Sequence, residues 1–379
     1  MNSDFSRRNF LAAGLALPAA TAVPANPVFQ APEPAAGQGL AYRVLGKTGL
    51  KVTTVGFGCM ITSDPTVITR AADMGINYFD TARVYQNGNN ERMVGAALGS
   101  RRKNVVLSTK VGAKDKAGAL KDLETSLKEL GTDHVDIWYL HGKDSPDAIT
   151  DDLLEAQEIA RRDGKIRFPG VSTHRVAAIA DAVIKTGKLQ VVLATYNFTM
   201  DAEAANAIDR LHKAGIGVVA MKVMAGGLRG REPRPELRRE GAMTAALRWV
   251  LKNPSVATTI PSMTDIEQLE DNFKTMSQKF SDADQKVLTA RLEEIRPEYC
   301  RMCGRCDGKC PQGLPVSDVL RYLTYADGYG QFALGREHFL QLSEPLRSVR
   351  CSDCASCPIR CPNGVRVTER LIRAQELFA

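Results

Sequence analysis

Between residues 41 and 285 the chain alternates eight short apolar runs with amphipathic stretches, and few folds accept that pattern. The runs are Thr54–Met60, Asn77–Ala82, Val105–Lys110, Val135–His141, Phe168–Thr173, Val191–Asn197, Gly217–Val223 and Thr258–Met263. Most are near-continuous in apolar residues, as expected of parallel strands covered on both faces. Helical periodicity fills the gaps. Leu120, Leu123, Leu127 and Leu130 share one stripe, and Gly131 is placed to stop that helix. Eight βα units in roughly 245 residues predict a (β/α)8 TIM barrel, whose usual length is about 250. An open doubly wound sheet would want a Gly-x-Gly-x-x-Gly turn after an early strand. Gly56-Phe57-Gly58 is only a fragment of one.

After about residue 290 the character changes, and eight of the nine cysteines fall in the last 80 residues. Cys300, Cys303, Cys306 and Cys310 precede Pro311; Cys351, Cys354, Cys357 and Cys361 precede Pro362. Each run reads C-x2-C-x2-C-x3-C-P, the thiolate spacing that wraps a 4Fe–4S cluster. Structural zinc more often takes its cysteines as separated C-x2-C pairs. Eight disulfide cysteines would rarely repeat one spacing so faithfully. The runs therefore predict two clusters. A helical pattern from Val316 to Tyr325, a turn around Gly328 and Gly330, a further helical stretch and a helix from Val365 to Leu377 accompany them.

The N-terminus carries an address. Ser6-Arg7-Arg8-Asn9-Phe10-Leu11 precedes a weakly apolar stretch from Ala12 to Ala22, with Ala20-Thr21-Ala22 as a small-residue cleavage site. This resembles a twin-arginine export signal. It implies a periplasmic protein exported already folded, the alternative being a cytoplasmic one with a basic N-terminus. Residues 23–39, rich in Ala, Pro and Gly, read as a linker. The expected organisation is thus a signal (1–22), a linker (23–39), a barrel (40–288) and a mainly helical cluster domain (289–379). The net charge of +7 is spread along the chain, which points away from nucleic acid. No apolar run reaches transmembrane length, so no integral membrane segment is expected in the mature chain.

Charged and polar side chains close several of the apolar runs, where a barrel opens its active-site mouth. Asp80 ends the second, Lys110 the third and His141 the fourth, while Tyr85 follows in the loop after Asp80. Such groups are poor core residues but suit carbonyl reduction, which needs a hydride on one face of the C=O and a proton for its oxygen. Tyr85 would be the acid–base group, with the Lys110 ammonium lowering its pKa from the free value of about 10. Asp80 would hold Lys110, and His141 would orient the substrate oxygen.

The segments Gly75–Ala82, Leu107–Lys110 and Trp138–His141 resemble, in order and spacing, the tetrad motifs of the aldo-keto reductase superfamily. Gly170-Val171-Ser172-Thr173 is similar to the family segment whose polar side chains bind the nicotinamide carboxamide. Tyr196-Asn197 and the ending Ile260-Pro261…Asp271-Asn272 also fit. The resemblance implies a nicotinamide-dependent oxidoreductase acting on a small carbonyl or alcohol, with Asp80, Tyr85, Lys110 and His141 catalytic. Ser172, Thr173, Tyr196, Asn197, Ser262, Gln268 and Asn272 would bind the cofactor. Three positions depart from the pattern. Leu193 replaces a common Gln, Met221-Lys222 replaces the Tyr-Ser that stacks on nicotinamide, and Ser262 and Gln268 stand where NADP-specific members carry cations. Without those cations, and with Asp265 nearby, NAD and NADP both stay open. Arg229 and Arg248 are phosphate contacts or surface charge. Cys59, apart from the eight, reads as a buried small hydrophobe.

The C-terminal segment resembles an α-helical ferredoxin module, in which the fourth cysteine of each run ligates the other cluster. By that resemblance Cys300, Cys303, Cys306 and Cys361 hold one cluster, and Cys351, Cys354, Cys357 and Cys310 the other. The clusters would relay electrons to a redox partner or tie the module to the barrel. The contrasting reading is an electron-transfer or redox-sensing iron–sulfur protein on a catalytically inactive barrel.

Overall fold

The computed structural model describes residues 39–226 and 241–379. The export signal, all but the last residue of the linker, and Arg229 lie outside the described residues. Eight parallel strands form the barrel wall. They are β3 (Phe57–Gly58), β4 (Tyr78–Asp80), β5 (Val106–Val111), β6 (Val135–Leu140), β7 (Ile166–Thr173), β8 (Val191–Thr195), β9 (Gly217–Met221) and β10 (Thr258–Thr259), each paired with its chain neighbour. A parallel bridge between Val55 and Thr259 and the bonds Gly56 N–H to Thr259 O (2.7 Å) and Thr259 N–H to Thr54 O (3.0 Å) join the first strand to the last. The expected (β/α)8 barrel is what the chain forms. The runs at Thr54–Met60 and Thr258–Met263 give strands of two residues each, because the chain leaves the ladder there to build the mouth loops.

Helices α1 (Pro65–Asp73), α2 (Asn89–Leu98), α3 (Lys116–Leu130), α4 (Asp151–Arg162), α5 (Val176–Thr186), α6 (Ala202–Lys213), α7 (Ala242–Leu251), α8 (Ile266–Lys274) and α9 (Asp282–Ile295) follow. Most bury an apolar stripe on the sheet. In α3 the expected stripe turns inward, Asp115 caps the start by accepting from Gly118 N–H (2.7 Å), and Gly131 ends it at φ 63°. Helix α9 runs through residue 288, where the barrel was expected to end.

The floor of the barrel holds an element that the sequence pattern did not announce. β1 (Tyr42–Val44) and β2 (Lys51–Thr53) form an antiparallel hairpin. Leu45, Leu50 and Val52 enter the barrel from below and pack with Tyr78, Ile137, Tyr139, Val191 and Val219. Burying each leucine contributes about 1.5–3 kcal/mol. Gly46 (φ 54°) permits this approach, because a Cβ there would meet Gly217 N at 2.4 Å.

Past α9 a smaller module has its own core. Helices α10 (Val316–Asp327), α11 (Phe332–Leu340) and α13 (Val367–Phe378) bury Leu320, Leu323, Phe339, Leu371 and Phe378 together, while the short α12 (Glu344–Ser348) buries no residue. Arg370 and Arg373 on α13 both donate to Asp327 at the end of α10 (3.1 and 3.0 Å). The module sits over the upper, C-terminal ends of the barrel strands.

Candidate functional site

The strand ends β4, β5 and β6 bring the four expected catalytic side chains together. Adjacent strands place Lys110 beside Asp80, and the Lys110 ammonium donates to the Asp80 carboxylate and to Thr81 O (2.7 Å). Ser108 Oγ donates to the other Asp80 oxygen at 2.8 Å. Tyr85 lies in a short turn whose next two residues, Gln86 and Asn87, are left-handed (φ 51° and 54°). Holding non-glycine residues there costs on the order of 1–3 kcal/mol each. Gln86 Nε2 donating to Thr62 O (2.8 Å) helps fix the turn, and Asn90 links Thr81 Oγ1 to Cys59 O just below it. Lys110 Nζ stands 4.8 Å from the Tyr85 ring centroid, and the His141 ring meets Tyr85 edge-on at 6.0 Å.

Burial dominates the electrostatics. It pushes Asp80 up and Lys110 down, each opposed by the charge of the other. Burial, then the Asp80 carboxylate and Cys59, hold the Tyr85 hydroxyl well above the usual phenol range. The expected lowering of Tyr85 by Lys110 is therefore not what the resting protein shows. Asp80 offsets the ammonium, which lies over the ring face, and Tyr85 is left a firm phenol. Burial first, then Lys110 and neighbouring cations, keep His141 well below the ordinary imidazole range and so neutral. Cys59 is fully buried, as expected, and burial holds it as a thiol.

A cavity of about 740 Å³ opens beside the tetrad and runs toward α8. It is lined by Asp80 and Tyr85 at one end and by Ser262, Gln268 and Asn272 at the other, with Met60, Met221 and Lys222 between. Ser172, Thr173 and Asn197 do not line it. Ser172 Oγ accepts from Gly142 N–H (2.9 Å), and Thr173 Oγ1 donates to Asp144 (3.0 Å). Asn197 donates to Lys222 O (3.0 Å) and Tyr299 Oη (3.1 Å) while its oxygen accepts from Thr199. Tyr196 is removed from the site altogether. Strand alternation turns it outward onto Trp249 (5.0 Å between centroids), where its hydroxyl accepts from Asn253. Arg248 forms a two-pronged pair with Asp284 (3.0 and 2.6 Å), and Gln268 turns back to cap α8 with Asp265.

The module supplies the remaining wall. Arg321, Tyr325 and Tyr329 are spaced four residues apart along and just beyond α10, so they share one face. Arg321 lies 3.1 Å from His174 Nδ1 and 3.6 Å from Asp144, and Asp144 in turn accepts from His174 N–H (2.6 Å). Tyr325 and Tyr329 flank the Lys222 ammonium. Arg175 donates to Asp307 and to Ser317 Oγ (2.7 Å), fastening the barrel to the first cysteine loop. Of these groups, the sequence alone marked only Lys222, as a departure from the family pattern. The four-residue repeat Arg321-Tyr325-Tyr329 was the available signal.

The eight module thiols form two neighbourhoods. Burial raises the Cys300 thiol to about 12, with Cys306, Cys303 and Cys361 close enough to push the same way. Burial likewise raises Cys351 to about 11, with the sulfurs of Cys310, Cys354 and Cys357 close enough to push the same way. Cys361 of the second run thus lies near Cys300, and Cys310 of the first lies near Cys351. Among the described residues no three His, Cys, Asp or Glu side chains stand close enough to share one metal ion. Thiolates at the corners of an iron–sulfur cube are spaced more widely than around one zinc, whose S–metal bonds are about 2.3 Å.

Residues 63–293 match the Aldo/keto reductase family, and residues 299–365 match the 4Fe-4S dicluster domain. The uncharacterised Bacillus subtilis oxidoreductase YrpG is 30% identical over 320 residues, covering 68% of this chain and 96% of that protein. The Arabidopsis thaliana L-galactose dehydrogenase is 27% identical, covering 68% and 96%. The solved holo form of aldo-keto reductase AKR11C1 from Bacillus halodurans superposes with a TM-score of 0.58 at 28% identity, covering 66% of this chain and 96% of that one. All three leave about a third of this chain outside the likeness. The strand-end tetrad, the cavity beside it and these matches agree: the chain belongs to the aldo/keto reductase family, and it carries a C-terminal iron–sulfur domain of the 4Fe–4S dicluster type.

Proposed function

We propose that the protein interconverts a carbonyl and an alcohol by hydride transfer with NAD or NADP, and that its module holds two 4Fe–4S clusters. The observation that carries this reading is the buried Asp80–Lys110 pair set against Tyr85 and His141, with Asp80 and Tyr85 lining one end of the cavity. The cavity suits a dinucleotide's reactive end and a small substrate, since ligand pockets usually measure about 300–1,000 Å³. Ser262, Gln268 and Asn272, which line the cavity, would contact the cofactor. Bound nicotinamide would supply the hydride in reduction and accept it in oxidation.

The remaining chemistry belongs to the chain. Tyr85, held as a phenol, gives its proton to the carbonyl oxygen as negative charge develops there. Lys110 stabilises the phenolate that this leaves, and Asp80 keeps the ammonium in place. Neutral His141 donates a hydrogen bond to the same oxygen. In the module, Cys300, Cys303, Cys306 and Cys361 would ligate one cluster, and Cys351, Cys354, Cys357 and Cys310 the other. The clusters would serve as a relay to a redox partner or as a tie between module and barrel.

Titrating anaerobically purified protein with NADH and NADPH while following Tyr and Trp fluorescence tests the reading. Saturable binding, together with carbonyl turnover that is lost in Tyr85→Phe, is expected. Redox-active clusters with no nicotinamide binding would favour an electron-transfer or redox-sensing protein on an inactive barrel.

The twin-arginine motif supports export in the folded state to the periplasm, with the clusters inserted beforehand. Arg7→Lys/Arg8→Lys should leave the protein in the cytoplasmic fraction of a host that has the twin-arginine route. Among the described residues no helix is long and apolar enough to cross a membrane.

A further inference from the structure

Four cations line the cavity among the described residues, and three of them have a carboxylate partner. Arg248 pairs with Asp284, Lys274 with Asp271 and Arg291 with Glu294. Lys222 has none among the described residues. Its backbone is left-handed (φ 58°), a conformation pinned by Asn197 Nδ2 and Ala225 N–H, which both donate to its carbonyl (3.0 and 3.1 Å). The side chain is therefore held toward the cavity.

The Lys222 ammonium stands 3.9 Å from Met60 Sδ and 4.8 and 4.6 Å from the ring centroids of Tyr325 and Tyr329. Met60 and Tyr329 line the same cavity as Tyr85. Ring faces attract an ammonium but cannot neutralise it. The other charges that face it are cations: burial first, then Arg321 and Lys110, bring Lys222 down to about 7. Asp80 is committed to Lys110, and Asp144 to His174 and Arg321. The site is thus an ammonium in an apolar and aromatic setting, with no negative charge beside it among the described residues.

We propose that Lys222 binds a carboxylate carried on the same small molecule as the reacting carbonyl, so that the substrate class is an oxo acid and its hydroxy-acid partner. This rests on the carbonyl–alcohol reading above. A single ammonium suits a monoanion. A phosphate dianion would call for a second cation or a guanidinium fork, and the nearest guanidinium, Arg321, already serves Asp144 and Asp318. The module takes part in the choice of substrate, because two of the three groups that position the ammonium come from it.

The test uses cluster-replete full-length protein and a matched pair of substrates, 4-oxobutanoate and butanal. Wild type is expected to prefer the acid in kcat/KM by about tenfold to a hundredfold, the value of one charge-assisted hydrogen bond. Lys222→Met should bring that ratio toward one, and Lys222→Arg should keep most of it. Succinate binding, followed by intrinsic fluorescence, gives a readout free of turnover. If neither aldehyde is turned over but succinate binds wild type and not Lys222→Met, the anion site stands and the carbonyl reading fails. A preference that survives Lys222→Met would overturn the proposal. So would a loss of NADH or NADPH affinity in Lys222→Met with succinate binding intact, which would assign the ammonium to the cofactor diphosphate.

Discussion

Asp80 and Lys110 sit on neighbouring strands, 2% and 1% exposed, and are held by Ser108, Thr81 and each other. Cys303 and Cys354 stand exposed in loops, and no helix or strand carries either of them. The barrel has organised Asp80 and Lys110 on the paired ends of neighbouring strands and locked them with protein hydrogen bonds. The module has a small core and gathers its eight thiols at the core's edge, where six of them pack against it. A hydrogen-bonded sheet fixes the direction of a side chain at its end, and ligand binding then needs little rearrangement. A thiol loop gains its final form from the cluster it wraps, so metal binding there is in part folding energy. The two regions should accordingly fail in different ways.

The largest separation is expected in catalysis. Tyr85→Phe should lower carbonyl turnover by about a hundredfold to ten-thousandfold, measured by steady-state kinetics, with iron and sulfide content unchanged. Wild-type reduction of butanal, which offers Lys222 no carboxylate, should also be level between about pH 6.5 and 9. The raised Tyr85 pKa keeps its proton on across that window, and the lowered His141 pKa keeps the imidazole neutral down through it. Activity should then fall only on the alkaline side, as Tyr85 loses its proton. A sigmoid near the ordinary imidazole pKa would contradict this assignment.

The module should break through its metal. Cys361→Ser is expected to remove the same cluster as Cys300→Ser, and Cys310→Ser the same one as Cys354→Ser. Each should halve the iron and sulfide, to about four of each per chain, and the electron paramagnetic resonance spectra should sort the variants into those two pairs. Sorting by run instead would show uncrossed ligation. Leu45→Ala, at the barrel floor, should cost about 2–5 kcal/mol in denaturant unfolding of the barrel and leave the cluster absorbance in place. Arg321→Ala removes the contacts to His174 and Asp144 and should cost about 1–3 kcal/mol. Faster proteolysis between barrel and module would report it.

How much of this was legible differs between the same two regions. The tetrad could be read because β4, β5 and β6 end within two residues of their apolar runs, and Asp80, Lys110 and His141 stand at or next to those strand ends. The crossed thiol sets were implied by resemblance alone, since the spacing within each run does not say which cluster its fourth cysteine serves. Tyr196 was misplaced although alternation along the strand puts it opposite Thr195 and Asn197. The β1–β2 hairpin escaped because three-residue strands bearing Arg43 and Lys51 carry no periodic signal. Helical spacing placed Arg321 and Tyr325 on one face, yet spacing says nothing of what a face covers. The wall over the active site is a tertiary fact, created when the module docks on the barrel.

The most direct test of the central claim, that the barrel tetrad carries out hydride chemistry beneath the module, follows one labelled hydrogen. Cluster-replete protein is incubated anaerobically with 4-oxobutanoate and nicotinamide cofactor deuterated at the transferring position, and the alcohol is read by mass spectrometry. Direct transfer predicts one deuterium in the alcohol formed by wild type and almost no product from Tyr85→Phe. Unlabelled alcohol, or equal product from Tyr85→Phe, would contradict the account.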